Sequence, residues 1–219
     1  RRLESIKNKI YAIQTKINNL EQKHLVLEYK NYQEKELSVK EIFNIYGGDS
    51  GLTEEYLYSC LEHNNNENIF LTGSSNSILN KNFIGNLKLP KGNKNVTIHN
   101  TDGIHIIRKG KAGTITYLEK NSYVLNDDAY LITLKKNNLI KVDLEWLYYT
   151  QKELFLNFST SSDNGTWSKT GFLEYAKIDI PSINEQRKVK EIFKKLTQTR
   201  KKIEDILIEI NKTFSKDLI

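Results

Sequence analysis

Apolar and polar positions at the two ends of this chain follow a rhythm that the middle does not share. Leu3, Ile6, Ile10, Ile13, Ile17, Leu20, His24 and Leu27 recur at alternating spacings of three and four residues, with polar residues at nearly all positions between them. That is the a/d seam of a heptad repeat, about four heptads long. Neither Gly nor Pro interrupts residues 1–46. Val189, Ile192, Leu196, Thr199, Ile203, Ile206 and Ile210 repeat the rhythm near the other end. The spacing predicts two long helices of about 45 Å each, at ~1.5 Å of rise per residue. The second has a readable start, because Ser182 follows Pro181 and Glu185 stands three residues on, as in a capping box. A narrow apolar seam is unfavourable in water, so each helix needs a partner: the other helix, antiparallel, or another subunit. His24 and Thr199 read as polar imperfections of the seam rather than as ligands.

Between the helices the period changes. Leu37–Val39, Ile69–Thr72, Val96–His99, Ile104–Arg108, Thr114–Leu118 and Tyr130–Leu134 are short β-branched or aromatic runs separated by Gly, Asn and Asp, which predicts strands. Two short helices are expected among them. One follows Thr53 as N-cap, with Glu54 and Glu55 in its first turn; the other follows Asp143 and runs through Trp146 to about Leu156. The expected fold class is α+β: one mixed domain over 34–181 with a curved sheet closed by small helices. It is flanked by helices over 1–33 and 182–219 that pair as an antiparallel coiled coil. No internal repeat is visible within 33–182.

Charge sharpens this picture. The net charge is +6, but residues 33–182 carry 16 Lys/Arg against 18 Asp/Glu, so the excess lies in the end segments. Within the middle, 81–120 has 8 basic and 2 acidic residues, whereas 49–67 has five acidic residues and no Lys or Arg. A basic stretch beside an acidic one suits a polyanionic partner. Lys outnumbers Arg 28 to 5, so Lys abundance from base composition explains part of the excess equally well. No apolar run approaches the roughly 18 residues of a membrane span, and the start lacks a signal-peptide core, so a cytoplasmic location is the default expectation.

Signatures of chemistry are missing from the sequence. It has no G-x-G-x-x-G, P-loop, H-E-x-x-H or G-x-S-x-G motif. Cys60 is the single cysteine, which excludes an internal disulfide, and it reads as a buried helix residue. His99 and His105 flank Asp102, a poor metal pattern if a glycine turn at Gly103 separates two strands. Asp127 and Asp128 are adjacent and so would face opposite ways on a strand; a turn or strand entry suits them better than paired acid–base work. With only Pro90 and Pro181 in the chain, the Asn/Asp-Pro-Pro-Tyr loop of amino-methyltransferases cannot be present. No cofactor or metal site is expected.

The run Asp102-Gly-Ile-His-Ile-Ile-Arg108-Lys-Gly110-Lys-Ala-Gly113-Thr-Ile-Thr-Tyr117, followed by Tyr123-Val-Leu-Asn-Asp-Asp-Ala-Tyr130, carries the clearest resemblance. It resembles the central hairpin of target-recognition domains in specificity subunits of type I restriction–modification systems. Gly165-Thr-Trp-Ser-Lys169, Phe172-Leu and Ile178-Asp-Ile-Pro181-Ser-Ile-Asn-Glu185-Gln186 look like the closing signature of that family, and Leu37 through Gly48 is similar to its opening. The pieces fall in the expected order over roughly 37–219. The resemblance implies a non-catalytic subunit that reads one half of a bipartite site in double-stranded DNA. Its partners would be methyltransferase subunits and a restriction subunit, and its helices would space the domains and dock those partners. The family plan has two recognition domains, and this chain has one. It is therefore expected to be a fragment of a longer subunit, the preceding helix hinting at sequence before Arg1, or a half-length version that dimerises through its long helices.

The residues themselves suggest where DNA would touch. Gly110 and Gly113 let a loop approach a duplex closely, and Arg108, Lys109 and Lys111 ride on it. Strand alternation would send Arg108 and Lys109 to opposite sides. Arg108, the only arginine between residues 3 and 186, can grip a guanine edge or a phosphate with two bonds. Ser74, Ser75 and Asn76 with nearby Lys81 form one polar loop, and Thr166, Ser168 and Lys169 around Trp167 form another; both suit phosphate contacts. Trp167 reads equally well as a core anchor. Tyr46, beside Gly47 and Gly48, is a lesser candidate. Two readings from other classes stay open: a coiled-coil adaptor whose domain binds protein, and the specificity end of a fused methyltransferase–endonuclease.

Overall fold

In the computed structural model the strand signals of the middle segment join into one bent six-stranded sheet. Residues 2–30, 36–53, 55–56, 69–71, 78–79, 88–89, 94–136, 140–160 and 165–216 are described. In chain order the elements begin α1 (Arg2–Lys30), β1 (Leu37–Ser38), α2 (Val39–Ile42), β2 (Phe43–Gly47), β3 (Ile69–Leu71), β4 (Ile78–Leu79) and β5 (His99–Ile107). They continue with β6 (Lys109–Gly110), β7 (Ile115–Leu125), β8 (Ala129–Leu134), α3 (Leu144–Thr150) and α4 (Lys152–Leu156). The last are β9 (Gly165–Thr166), α5 (Lys169–Tyr175), β10 (Lys177–Ile178) and α6 (Ile183–Lys216). The chain divides into two units, 35–180 and the paired segments 1–34 and 181–219.

Strand order in the main sheet is β2-β8-β5-β7-β3-β4, all neighbours antiparallel except β3 with β7. Its curvature follows from the register. β7 starts at Ile115 opposite Ile106, and Ile107 pairs with Ala129 on β8. A straight β7 would carry Leu125 about 33 Å from that corner, yet Leu125 is joined to Ala129 by a turn that can span at most about 14 Å. The strand therefore bends back, and the register shift opposite Thr101–Gly103 marks a bulge in β7 itself, where Glu119 and Lys120 stand against the single residue Asp102. Leu118, Tyr123, Leu125, Ala129 and Leu131 on β7 and β8 form one buried apolar cluster.

Several expectations change here. His99 and His105 lie on one continuous strand, so Gly103 makes no turn. Its lack of a side chain serves close packing, because a Cβ there would meet the Ile132 carbonyl at 2.6 Å. Val96–Ile98 is not strand, β7 runs well past Leu118, and Phe43–Gly47, to which the pattern assigned nothing, is strand. Asp143 caps its helix as expected, its carboxylate accepting from Glu145 N–H (3.0 Å) and Trp146 N–H (3.1 Å). That helix is broken in two at Gln151, whose φ of −112° and ψ of 15° leave the helical range. Thr53 Oγ1 accepts from Tyr56 N–H at 3.1 Å, the predicted cap; Cys60 lies outside the described residues.

In the helical unit α1 and α6 touch, and the Arg200 guanidinium donates to Asn18 Oδ1 (2.6 Å) and Glu21 Oε2 (2.7 Å). Ile17, Val189 and Phe193 are buried, but Ile6, Ile13, Leu20 and Ile206 keep 39%, 47%, 45% and 49% of their surface exposed, so much of the seam stays uncovered. Half of the capping box forms as drawn: the Glu185 carboxylate accepts from Ser182 N–H at 3.1 Å. The Ser182 hydroxyl donates to that carboxylate too. Thr199 turns its hydroxyl back to the Lys195 carbonyl at 2.8 Å. No described helix is long and apolar enough to cross a membrane.

Candidate nucleic-acid interface

The basic loop between β5 and β7 is stitched down rather than left as a free hairpin tip. Gly110 and Gly113 take φ of 86° and 82°, the left-handed conformation that a side chain resists, and between them the chain reverses. Gly113 N–H returns to Ile107 O (2.9 Å), and Ser159 Oγ donates to Ala112 O (2.7 Å). Lys109 and Gly110 pair antiparallel with Thr166 and Gly165, and Trp167 N–H donates to Arg108 O at 2.8 Å. The two polar loops picked out around residues 108–111 and 166–169 are thus one surface, side by side.

A rigid floor supports it. The Trp167 ring is buried, stands 5.0 Å from Phe172 and 6.3 Å from Phe155, and its Nε1–H donates to Phe155 O at 2.9 Å. Trp167 is therefore a core anchor, and its ring is not on the surface where a duplex would lie. Phe155 and Phe158 pack on Phe172 at 4.9 and 5.3 Å, which closes the aromatic cluster.

Arg108 and Lys109 do not diverge. Arg108 sits in a break between β5 and β6, so strand alternation does not apply, and both side chains meet the Asp127–Asp128 turn. One guanidinium N–H of Arg108 donates to Asp127 O (2.7 Å), and its cation lies 5.7 Å from the centre of the Tyr130 ring. Lys109 Nζ is 2.7 Å from Asp128 Oδ1 and 3.8 Å from Asp127 Oδ2. The hydrogen bond and charge of Asp128, then the charge of Asp127, push the Lys109 pKa up, so its ammonium stays charged. Lys169 also lies near Tyr130, 5.9 Å from the ring centre, and donates to Ile45 O at 2.9 Å.

Lys111 and Thr166 are exposed, and Lys111 has no ion-pair partner among the described residues. Ser168, also exposed, caps α5 by accepting from Gly171 N–H at 3.0 Å. Ser74, Ser75, Asn76 and Lys81 lie outside the described residues. Tyr46 is on the surface beside His99, ring centres 5.0 Å apart; burial lowers the pKa of that histidine and the nearby Asp49 charge opposes this. His99, Asp102 and His105 do not gather, and among the described residues no three potential metal donors do.

The pattern reading left out Asp127, Asp128 and Tyr130 as site residues. The signal that finds them is the pairing of Ile107 with Ala129, which sets the turn at 126–128 beside Arg108.

Residues 29–212 match the family described as type I restriction modification DNA specificity domain. The chain belongs to that family. Two solved structures show the same fold. The HsdS subunit from Thermoanaerobacter tengcongensis aligns with a TM-score of 0.65 at 12% identity over 94% of this chain and 49% of its own. The type I restriction-modification S subunit from M. genitalium aligns at 0.57 and 19% identity over 96% of this chain and 55% of its own. A third, described as concerning complex assembly and conformational transition of the type I R-M system, aligns at 0.61 with 14% identity, over 98% of this chain and 52% of its own. This chain thus spans about half the length of the subunits it matches. No curated protein matches it in sequence.

Proposed function

We propose that this chain reads one half of a bipartite DNA site as the specificity subunit, or part of one, of a type I restriction–modification enzyme, and performs no chemistry itself. The observation that carries the reading is the joining of Lys109–Gly110 to Gly165–Thr166 on an aromatic floor. It brings the segment of Arg108, Lys109 and Lys111 beside the segment of Thr166, Ser168 and Lys169. Arg108 reads a base edge, and Lys111, Lys169, Thr166 and Ser168 hold phosphates. Ser74, Ser75, Asn76 and Lys81 are kept as a further contact loop on sequence grounds. The helices 1–33 and 182–219, paired as an antiparallel coiled coil, act as spacer and as dock for methyltransferase subunits, a restriction subunit, or a second copy. That one matched structure concerns assembly of a type I R-M system supports those partners. A cytoplasmic location goes with this function.

The test is selection of oligonucleotides from a random duplex library by the intact chain. A recovered half-site of defined sequence, bound with an affinity that falls as salt rises, is the expected result. No enrichment, together with no salt-dependent duplex affinity, would overturn the reading and favour a protein-binding adaptor.

A further inference from the structure

Two carboxylates at the centre of a surface read as contacting phosphates call for an explanation. Asp127 and Asp128 carry side chains 42% and 36% exposed and Lys109 is 49% exposed, so the pair lies at the surface, although the Asp128 Oδ1 that faces the ammonium is itself covered. An exposed ion pair adds little to stability, because water solvates both charges nearly as well apart. The turn that bears these residues is held by backbone bonds that need neither carboxylate: Arg108 N–H to Asp128 O (2.8 Å) and Ala129 N–H to Asn126 O (3.1 Å). The carboxylates act instead on the cationic tip, where the Lys109 ammonium rests 2.7 Å from Asp128 Oδ1.

Sequence-independent binding to DNA comes almost wholly from cations that neutralise phosphates and release counterions. A lysine already neutralised by a neighbouring carboxylate releases little when it meets a phosphate, and the carboxylate repels that phosphate. Resting on the DNA-recognition reading above, we propose that Asp128, seconded by Asp127, is a positioning residue that withholds Lys109 from phosphates and so brakes binding to arbitrary duplexes. Lys111, one residue past Gly110, lies outside this restraint and supplies the phosphate contact that remains.

The experiment measures affinity of the intact chain for a labelled random-sequence duplex across a salt series, for the wild type, Asp128→Asn, Lys109→Ala and the double variant. Asp128→Asn keeps the shape of the side chain and removes its charge. It should bind the random duplex about three- to tenfold more tightly at low salt, with the log–log salt slope steeper by about one. Its advantage should shrink about 3.5-fold between about 50 and 200 mM salt. In the Lys109→Ala background the same change should lose most of its effect, which a merely structural role for Asp128 would not produce. Unchanged random-duplex affinity in Asp128→Asn overturns the brake, as does full retention of the gain without Lys109. So does loss of preference at one base pair alone, which would make the carboxylate a base reader. If neither wild type nor Asp128→Asn binds any duplex, the reading beneath fails instead.

Discussion

Lys109 and Lys111 flank one glycine yet differ in what they can offer a duplex. Lys109 is held by Asp128 at 2.7 Å, whereas Lys111 is exposed and has no ion-pair partner among the described residues. Lys111→Ala should therefore weaken binding to all duplexes and flatten the salt slope by about one. Lys109→Ala should do less on both counts. Equal losses in a salt titration of the two variants would contradict the assignment. Arg108 differs in kind: its carbonyl bond to Asp127 and the Tyr130 ring fix the guanidinium before DNA arrives, and a pre-set fork suits reading one base edge. Arg108→Ala should relax a single base position by roughly 1–3 kcal/mol in competition with point-changed targets. An unaltered preference profile would remove Arg108 from base reading. The identity of these cations was visible in the sequence; their different surroundings were not, because the acidic turn reaches them through a pairing of β5 with β8 rather than through nearby positions.

At the scale of elements, what was legible depended on how local the determining interaction is. Asp143 and Thr53 cap helices by bonds to residues two or three positions on, so spacing alone revealed them. The glycine pair inside a basic run marked the loop, and the structure gives both glycines a positive φ. The break at Gln151, the single long β5 and the bend of β7 arise from packing between distant segments, which no period encodes. Gly103 illustrates the difference: it looked like a turn, and its reason is the Ile132 carbonyl of a neighbouring strand. Trp167 had two equal readings from sequence, and the aromatic floor decides between them. Loss of its side chain should let the tip come loose, because the ring packs on Phe172 and Phe155 and its Nε1–H donates to Phe155 O directly beneath the strand that pairs with the tip. Trp167→Ala is expected to cost about 3–5 kcal/mol, read as a lowered midpoint in chemical unfolding. Duplex binding should fall with it even under conditions where the domain stays folded. Trp167→Phe, which keeps an aromatic ring and removes the Nε1–H bond, should recover most of the stability. A Trp167→Ala variant as stable as wild type would show that the tip does not depend on its floor.

At the scale of the whole molecule, the helices raise a question of surface. The heptad rhythm predicted apolar seams that seek cover, and in the helical unit the seam residues Ile17 and Val189 find it while Ile6, Ile13, Leu20 and Ile206 do not. Three of these exposed residues, Ile6, Ile13 and Leu20, recur on α1 seven residues apart, at one position of the heptad. An apolar stripe of that kind favours association, each large side chain contributing about 1.5–3 kcal/mol when fully covered. On the proposed reading, one recognition domain covers only half of a bipartite site, so a second copy joined through the stripe would supply the other half as an inverted repeat. The intact chain should therefore weigh more than its monomer mass of 25.5 kDa by light scattering at micromolar concentration. Ile13→Lys with Leu20→Lys should return it to that mass while leaving its affinity for a single half-site unchanged. The wild type should prefer two inverted half-sites over one, and the double variant should lose that preference. A wild-type chain that remains monomeric at every concentration, or selected targets that hold only a lone half-site, would leave the stripe to a different partner.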